Sequence, residues 1–189
     1  QMSNDYADVA KTAHIEGEGG LEAMSVDLGR PIESMNPESG TIKGCLEDWD
    51  RVAAEVMYDG ARAQVHYDGE ESVTIFSRSK DDITAAFPDV VQFVKENIDT
   101  PVIFDGEVVA VGEDGDIRPF QDVLRRFNPE EAVQALRNQI PVRYVPFDCL
   151  YFDGESLLDT PLRKRWEIVW TLYPHRFVST QKVYSSAEG

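Results

Sequence analysis

The chain has 189 residues, 42% of them hydrophobic and 10% aromatic, enough for one generous domain with a core of its own. Its 35 Asp and Glu against 18 Lys and Arg give a net charge of −17, whereas a generic nucleic-acid binder should be basic. No apolar run approaches the roughly 18 residues of a membrane helix, and Gln1 to Gly20 lacks the apolar stretch of a signal peptide, so no membrane partner is expected.

Residues 1 to 40 are weakly patterned. Gly17 to Gly20 and Asn36 to Gly40 read as loops, with a short strand over Met24 to Leu28 between them. From Ala53 the pattern sharpens. Ala61, Ala63, Val65 and Tyr67 alternate with Arg62, Gln64 and His66, Asp68-Gly69 is a hairpin signal, and Val73 to Phe76 is the return strand. Ile83, Phe87, Val90, Val91 and Val94 then fall on one helical stripe, and Pro88 suits a first helical turn. Val102 to Val111 is a strand pair or a bent strand centred on Asp105-Gly106, followed by a turn at Glu113 to Asp116. Short helices are expected at Phe120 to Arg126 and Pro129 to Leu136, a strand at Val142 to Tyr151, a turn at Phe152-Asp153-Gly154 and a closing helix at Pro161 to Leu172. Strands and helices mix without strict βαβ alternation, so the fold class is α+β with largely antiparallel sheets.

The acidic balance has two explanations: no contact with nucleic acid, or adaptation to high salt, where acidic surfaces keep proteins soluble. The acidic residues run along the whole chain instead of forming a tail, which favours salt adaptation. Cys45 and Cys149 are too few for a disulfide framework and nothing resembles a zinc site, which fits a reducing, cytoplasmic setting. His14, His66 and His175 show no metal-ligand spacing and are expected at the surface or half-buried.

Three Asp-Gly pairs sit in strand-like context: Tyr58-Asp59-Gly60-Ala61-Arg62, Phe104-Asp105-Gly106-Glu107 and Phe152-Asp153-Gly154-Glu155. The third reads as a plain turn. The first two, taken with Phe76-Ser77-Arg78-Ser79-Lys80 and Val145-Pro146-Phe147-Asp148-Cys149-Leu150-Tyr151, form an ordered set. From Gly29-Arg30-Pro31-Ile32 to about Tyr173, this set resembles the adenylation domain of an archaeal-type ATP-dependent DNA ligase, and Phe120-Gln121-Asp122-Val123-Leu124-Arg125-Arg126 is similar to the archaeal branch.

The resemblance implies a nucleotidyltransferase (ATP-grasp-like) fold, incomplete at the C-terminus, with ATP and Mg2+ as cofactors. It implies nicked double-stranded DNA as the partner of a monomeric full-length enzyme. The family seals nicks in replication, repair and recombination. A neutral lysine amine attacks the α-phosphorus of ATP, AMP passes to the nick's 5′-phosphate, and the 3′-hydroxyl closes the backbone. By this resemblance Glu55 would sit near the adenine, and Arg62 near the ribose or the DNA end. Arg78 would bind ribose or phosphate, Glu107 would accept a ribose hydroxyl or help hold metal, and Phe147 would stack on the base. Each residue also has a plainer reading. Glu55 could be a strand-edge charge, Arg62, Arg78 and Glu107 polar strand positions, and Phe147 core.

This sequence departs from the family pattern at the nucleophile. The first family motif is lysine, any residue, Asp, Gly, any residue, Arg, and the lysine position holds Met57. A thioether carries no amine and forms no phosphoramidate, and neither Lys43 nor Lys80 is in the motif register. The family's fourth and fifth motifs are not matched after Tyr173. Residues 1–40 are therefore expected to be a leader from a longer protein and 41–189 a partial adenylation domain, inactive alone. A nucleotide-binding module without catalysis, a degenerate remnant and a deliberate lysine-to-methionine change remain as alternatives.

Overall fold

The computed structural model describes residues 6–22, 26–34, 38–127, 133–174, 178–179 and 181–185. In chain order the elements are α1 (Tyr6–Glu22), α2 (Ile42–Asp48), β1 (Arg51–Glu55), β2 (Ala61–Tyr67), β3 (Val73–Ser77), α3 (Pro88–Asn97), β4 (Val102–Ala110), α4 (Phe120–Arg125), α5 (Val133–Gln139), β5 (Val142–Phe152), β6 (Glu155–Ser156), α6 (Leu162–Leu172) and β7 (Gln181–Ser185). The main sheet has five strands in the order β3-β2-β4-β5-β6, and β1 pairs with β7 in a separate two-stranded sheet. Every strand pair is antiparallel, as the α+β reading expects.

The β2–β3 hairpin forms where the alternation places it. Asp68 accepts from the backbone N–H groups of Glu70 and Ser72, which closes the turn, and Gly69 supplies a φ of 86°. Pro88 opens α3, and Val90 and Val94 point from it into the core. The Asp153-Gly154 turn has φ values of 48° and 91° and is the plain turn expected. Two expectations fail. Gly17 to Gly20 lies within α1 instead of a loop, with Gly17 alone non-helical at φ 66°. Val26 to Leu28 forms no strand, while Met24 lies outside the described residues, as do Asn36, residues 129–132 and His175.

Both faces of the main sheet are covered. One face carries Ala63, Val65, Phe104, Val108 and Tyr144, packed with Val90 and Val94 of α3, Val123 of α4 and Val169 of α6. Full burial of such aliphatic side chains contributes roughly 1.5–3 kcal/mol each. Arg126, next to Arg125 in the archaeal-like stretch, is not a surface cation. It is 2% exposed, paired to both carboxylate oxygens of Asp89, and donates to the carbonyls of Ala86 and Ile140. It ties α4 to α3 through the core.

The opposite face carries Arg62, Gln64 and His66 of β2, which pair across to Glu107, Asp105 and Ile103 of β4. This face is polar by the strand alternation, yet Gln64 is 4% and His66 2% exposed. Residues 26–32 cover them. Gln64 donates to the Ile32 carbonyl and accepts from the Ile32 N–H, while His66 Nδ1 accepts from the Gly29 N–H. Val26 and Ile32 pack on Ile103 and Leu150. The expectation of a surface or half-buried histidine is therefore corrected for His66. Burial lowers its pKa to about 4, so the ring is neutral. His14 is exposed, as expected.

Candidate nucleotide site

The cover formed by residues 26–32 engages the Gln64 and His66 rungs and leaves the next rung, Arg62 opposite Glu107, partly open. Arg62 reaches back along this face to Asp105. Its Nε donates to one carboxylate oxygen at 3.1 Å and its Nη2 to the other at 2.6 Å. This two-point geometry fixes the plane of the guanidinium. Burial works against the charge on Arg62, but the Asp105 hydrogen bonds and charge outweigh it and raise the arginine pKa. Burial also pushes the Asp105 carboxyl up, against the pull of Arg62.

Glu107 stands beside this pair. Burial is the main reason its pKa rises to about 7. The charges of Asp105 and Asp59 push the same way, while Arg62 and Arg78 oppose them. A carboxyl poised at neutral pH, among groups of both signs, marks a candidate functional position.

Phe147 joins the cluster through an irregularity in β5. In the β4–β5 ladder Asp105 pairs with Asp148 and Gly106 pairs with Pro146, so Phe147 is the extra residue of a bulge. Pro146 has no N–H for the ladder, which suits a break in register at that point. A bulge re-aims a side chain, and Phe147 meets Arg62, whose guanidinium carbon lies 5.3 Å from the ring centroid. Glycines allow the strands their close approach. A Cβ on Gly60 would lie 2.4 Å from the Val108 carbonyl oxygen, and one on Gly106 would lie 2.6 Å from that of Val145.

Met57 lies between β1 and β2 and is 97% exposed. Asp59, two residues on, accepts from the Phe120 N–H at the start of α4, which anchors the Asp-Gly turn. Glu55 ends β1 on the separate sheet, paired with Gln181 of β7, whose Nε2 donates to Glu55 Oε1. Loss of water around Glu55 raises its carboxyl pKa. The Gln181 hydrogen bond opposes this, and the nearby Asp148 charge adds to it. Asp148 is itself held by a two-point pair from Arg165 of α6, at 2.7 and 2.9 Å. Arg78 follows β3, exposed, and its charge acts on Glu107.

The structure thus brings Arg62, Glu107 and Phe147 together, with Arg78 acting on Glu107 by charge, while Glu55 stays exposed on the separate sheet, held by Gln181. Sequence reasoning missed Asp105, Asp148, Arg165 and Gln181. Asp105 and Asp148 lie inside quoted motifs, and their neighbours drew the attention. Arg165 and Gln181 carry no local signal, because each is defined by a partner distant in sequence. Among the described residues no three His, Cys, Asp or Glu side chains converge as a metal site. A groove of about 950 Å³ lined by Ile42, Trp49, Val52 and Tyr184 contains none of the motif residues.

The sequence model of the ATP dependent DNA ligase domain family matches residues 38–188. The chain belongs to that family. Among curated relatives, the DNA ligase of Haloarcula marismortui is 49% identical over 174 residues, which are 92% of this chain and 31% of that protein. The DNA ligase of Thermococcus onnurineus is 42% identical over 167 residues, 87% of this chain and 30% of that ligase. The chain therefore spans about 30% of the length of these relatives. Among solved structures, the ligase domain of LigD from M. tuberculosis superposes with a TM-score of 0.58 at 25% identity, covering 80% of this chain and 46% of that one. A mycobacterial DNA ligase D complexed with ATP and MES gives a TM-score of 0.53 at 26% identity, covering 73% of this chain and 42% of that one. The ligase-family resemblance and the adenylation-domain fold read from the motifs are the ones found, and several of the relatives are haloarchaeal.

Proposed function

We propose that this chain carries the nucleotide site of a DNA ligase adenylation domain, and that it binds ATP without becoming adenylated. The convergence of Arg62, Glu107 and Phe147 supports this reading best: a fixed guanidinium and a carboxyl on one open rung, with an aromatic ring beside the guanidinium, suit a nucleoside phosphate. In this reading Phe147 stacks on the purine and Glu55 lies near its edge. Arg62 and Arg78 meet ribose or phosphate, and Glu107 accepts a ribose hydroxyl. Residues 41–189 are part of the adenylation domain, and residues 1–40 lead into it.

A Mg2+ ion arriving with the triphosphate asks little of the protein, since magnesium commonly takes one or two carboxylates plus phosphate oxygens and water. Glu107 is the carboxylate that would help hold it, and the ion would supply positive charge against the phosphates of the bound nucleotide. The missing group is the nucleophile, because Met57 offers no amine. A full-length ligase of the family, with lysine at this position and the fourth and fifth motifs in place, would adenylate itself and work as a cytoplasmic monomer sealing nicked double-stranded DNA in replication, repair and recombination. With Met57 the chain is a silent nucleotide-binding version of that domain.

Calorimetric titration with ATP tests the reading. Saturable binding that weakens about ten-fold or more in Phe147→Ala is expected, from the loss of one aromatic stack. Absence of ATP binding by the unaltered chain would overturn it.

A further inference from the structure

Glu55 and Gln181 form the end rung of the β1–β7 ladder, directly opposite one another. The Gln181 amide Nε2 donates to Glu55 Oε1. A carboxylate has a second oxygen, so this contact orients Glu55 while leaving Oε2 to accept another hydrogen bond. The charge arrangement around it is selective. Asp148 and Asp105 are each matched by an arginine through two hydrogen bonds. Glu55 is met instead by a neutral amide, which fixes its direction without cancelling its charge.

An ionised, oriented carboxylate discriminates sharply between hydrogen-bond donors and acceptors. Adenine presents an exocyclic amine at its six position, a donor, whereas guanine presents a carbonyl oxygen there. We propose that Gln181 sets base specificity: by holding Glu55 Oε1 it aims Oε2 at the adenine amine and against the guanine carbonyl. This rests on the reading that the base lies near Glu55, and it adds that selection acts through a residue of β7. Gln181 is a positioning residue, since it acts on the base only through Glu55.

Titrating the full 189-residue chain with ATP and with GTP tests this, using the unaltered chain, Gln181→Ala and Gln181→Glu. Thermal melts verify that each variant folds. Gln181→Ala is expected to weaken ATP binding about ten-fold with GTP binding unchanged, so the preference for ATP falls about ten-fold, the size of one hydrogen bond to a charged group. Gln181→Glu keeps the shape but turns the donor into an acceptor, and should lose the preference at least as far. A merely structural role for Gln181 would weaken both nucleotides alike. An unchanged ATP-to-GTP ratio in both variants would overturn the inference and leave the nucleotide site standing. Failure of the unaltered chain to bind ATP would overturn the proposed function itself, and this inference with it.

Discussion

Arg62 and Asp105 are locked by two hydrogen bonds across adjacent strands, yet they are not ladder partners: Arg62 pairs with Glu107, and Asp105 pairs with Gln64. The arginine leans one rung along the sheet. Its guanidinium therefore lies among Asp105, Glu107 and the Phe147 ring, with a side chain only 24% exposed.

That geometry gives Arg62 a structural role. Arg62→Ala leaves the Asp105 carboxylate buried without its cation, and should cost about 3 kcal/mol of stability. Arg62→Ala combined with Asp105→Ala should cost clearly less than the two single changes summed, because the orphaned charge is gone. Urea denaturation of the four proteins measures this. Strict additivity would mean that the pair contributes no coupling.

Glu107 gives a pH dependence of definite sign. Its pKa is about 7 in the folded chain against an ordinary 4.5. Below pH 4.5 it is protonated in both states, so Glu107→Gln should match the unaltered chain there. As pH rises from 4.5 to 7 the unfolded chain releases this proton while the folded one holds it, and the unaltered chain loses stability that the variant keeps. Above pH 7 the variant's advantage should level off at about 1–2 kcal/mol, discounted because Glu107 is only part-buried. Parallel thermal melts across this range test it, and an advantage that shrinks with rising pH would contradict it.

The net charge of −17 leads to a third expectation. Self-repulsion among exposed carboxylates is screened as the Debye length falls from about 10 Å at 0.1 M salt to about 3 Å at 1 M. The thermal midpoint should therefore rise as KCl is taken into the molar range. A flat or falling midpoint would count against salt adaptation.

How much of this was legible in the sequence depended on the range of each interaction. The β2–β3 hairpin and α3 announce themselves because alternation, turn residues and Pro88 are local signals. The β1–β7 sheet does not. Arg51-Val52-Ala53-Ala54-Glu55 is mostly exposed and has no alternating apolar face, and its partner strand lies far along the chain, with Glu55 and Gln181 separated by 126 residues. The burial of His66 on the polar face of β2 is hidden for the same reason. Alternation says that Gln64 and His66 share a face, but not that residues 26–32 return to cover it. Phe147 stood out as an aromatic in a motif, while the bulge that turns it toward Arg62 is set by register against β4 and leaves no periodic trace. Met57 is the opposite case: the motif exposed the missing amine at once, with no structure needed.

The central claim is a nucleotide site without its nucleophile, and equilibrium dialysis of the chain against ATP labelled at the α-phosphate, followed by acid denaturation, tests it most directly. Label should be retained by the folded chain in a saturable way and released completely on denaturation. Label that survives denaturation would mean that AMP is covalently attached despite Met57, and no retained label at all would mean that the site does not exist; either result contradicts the account.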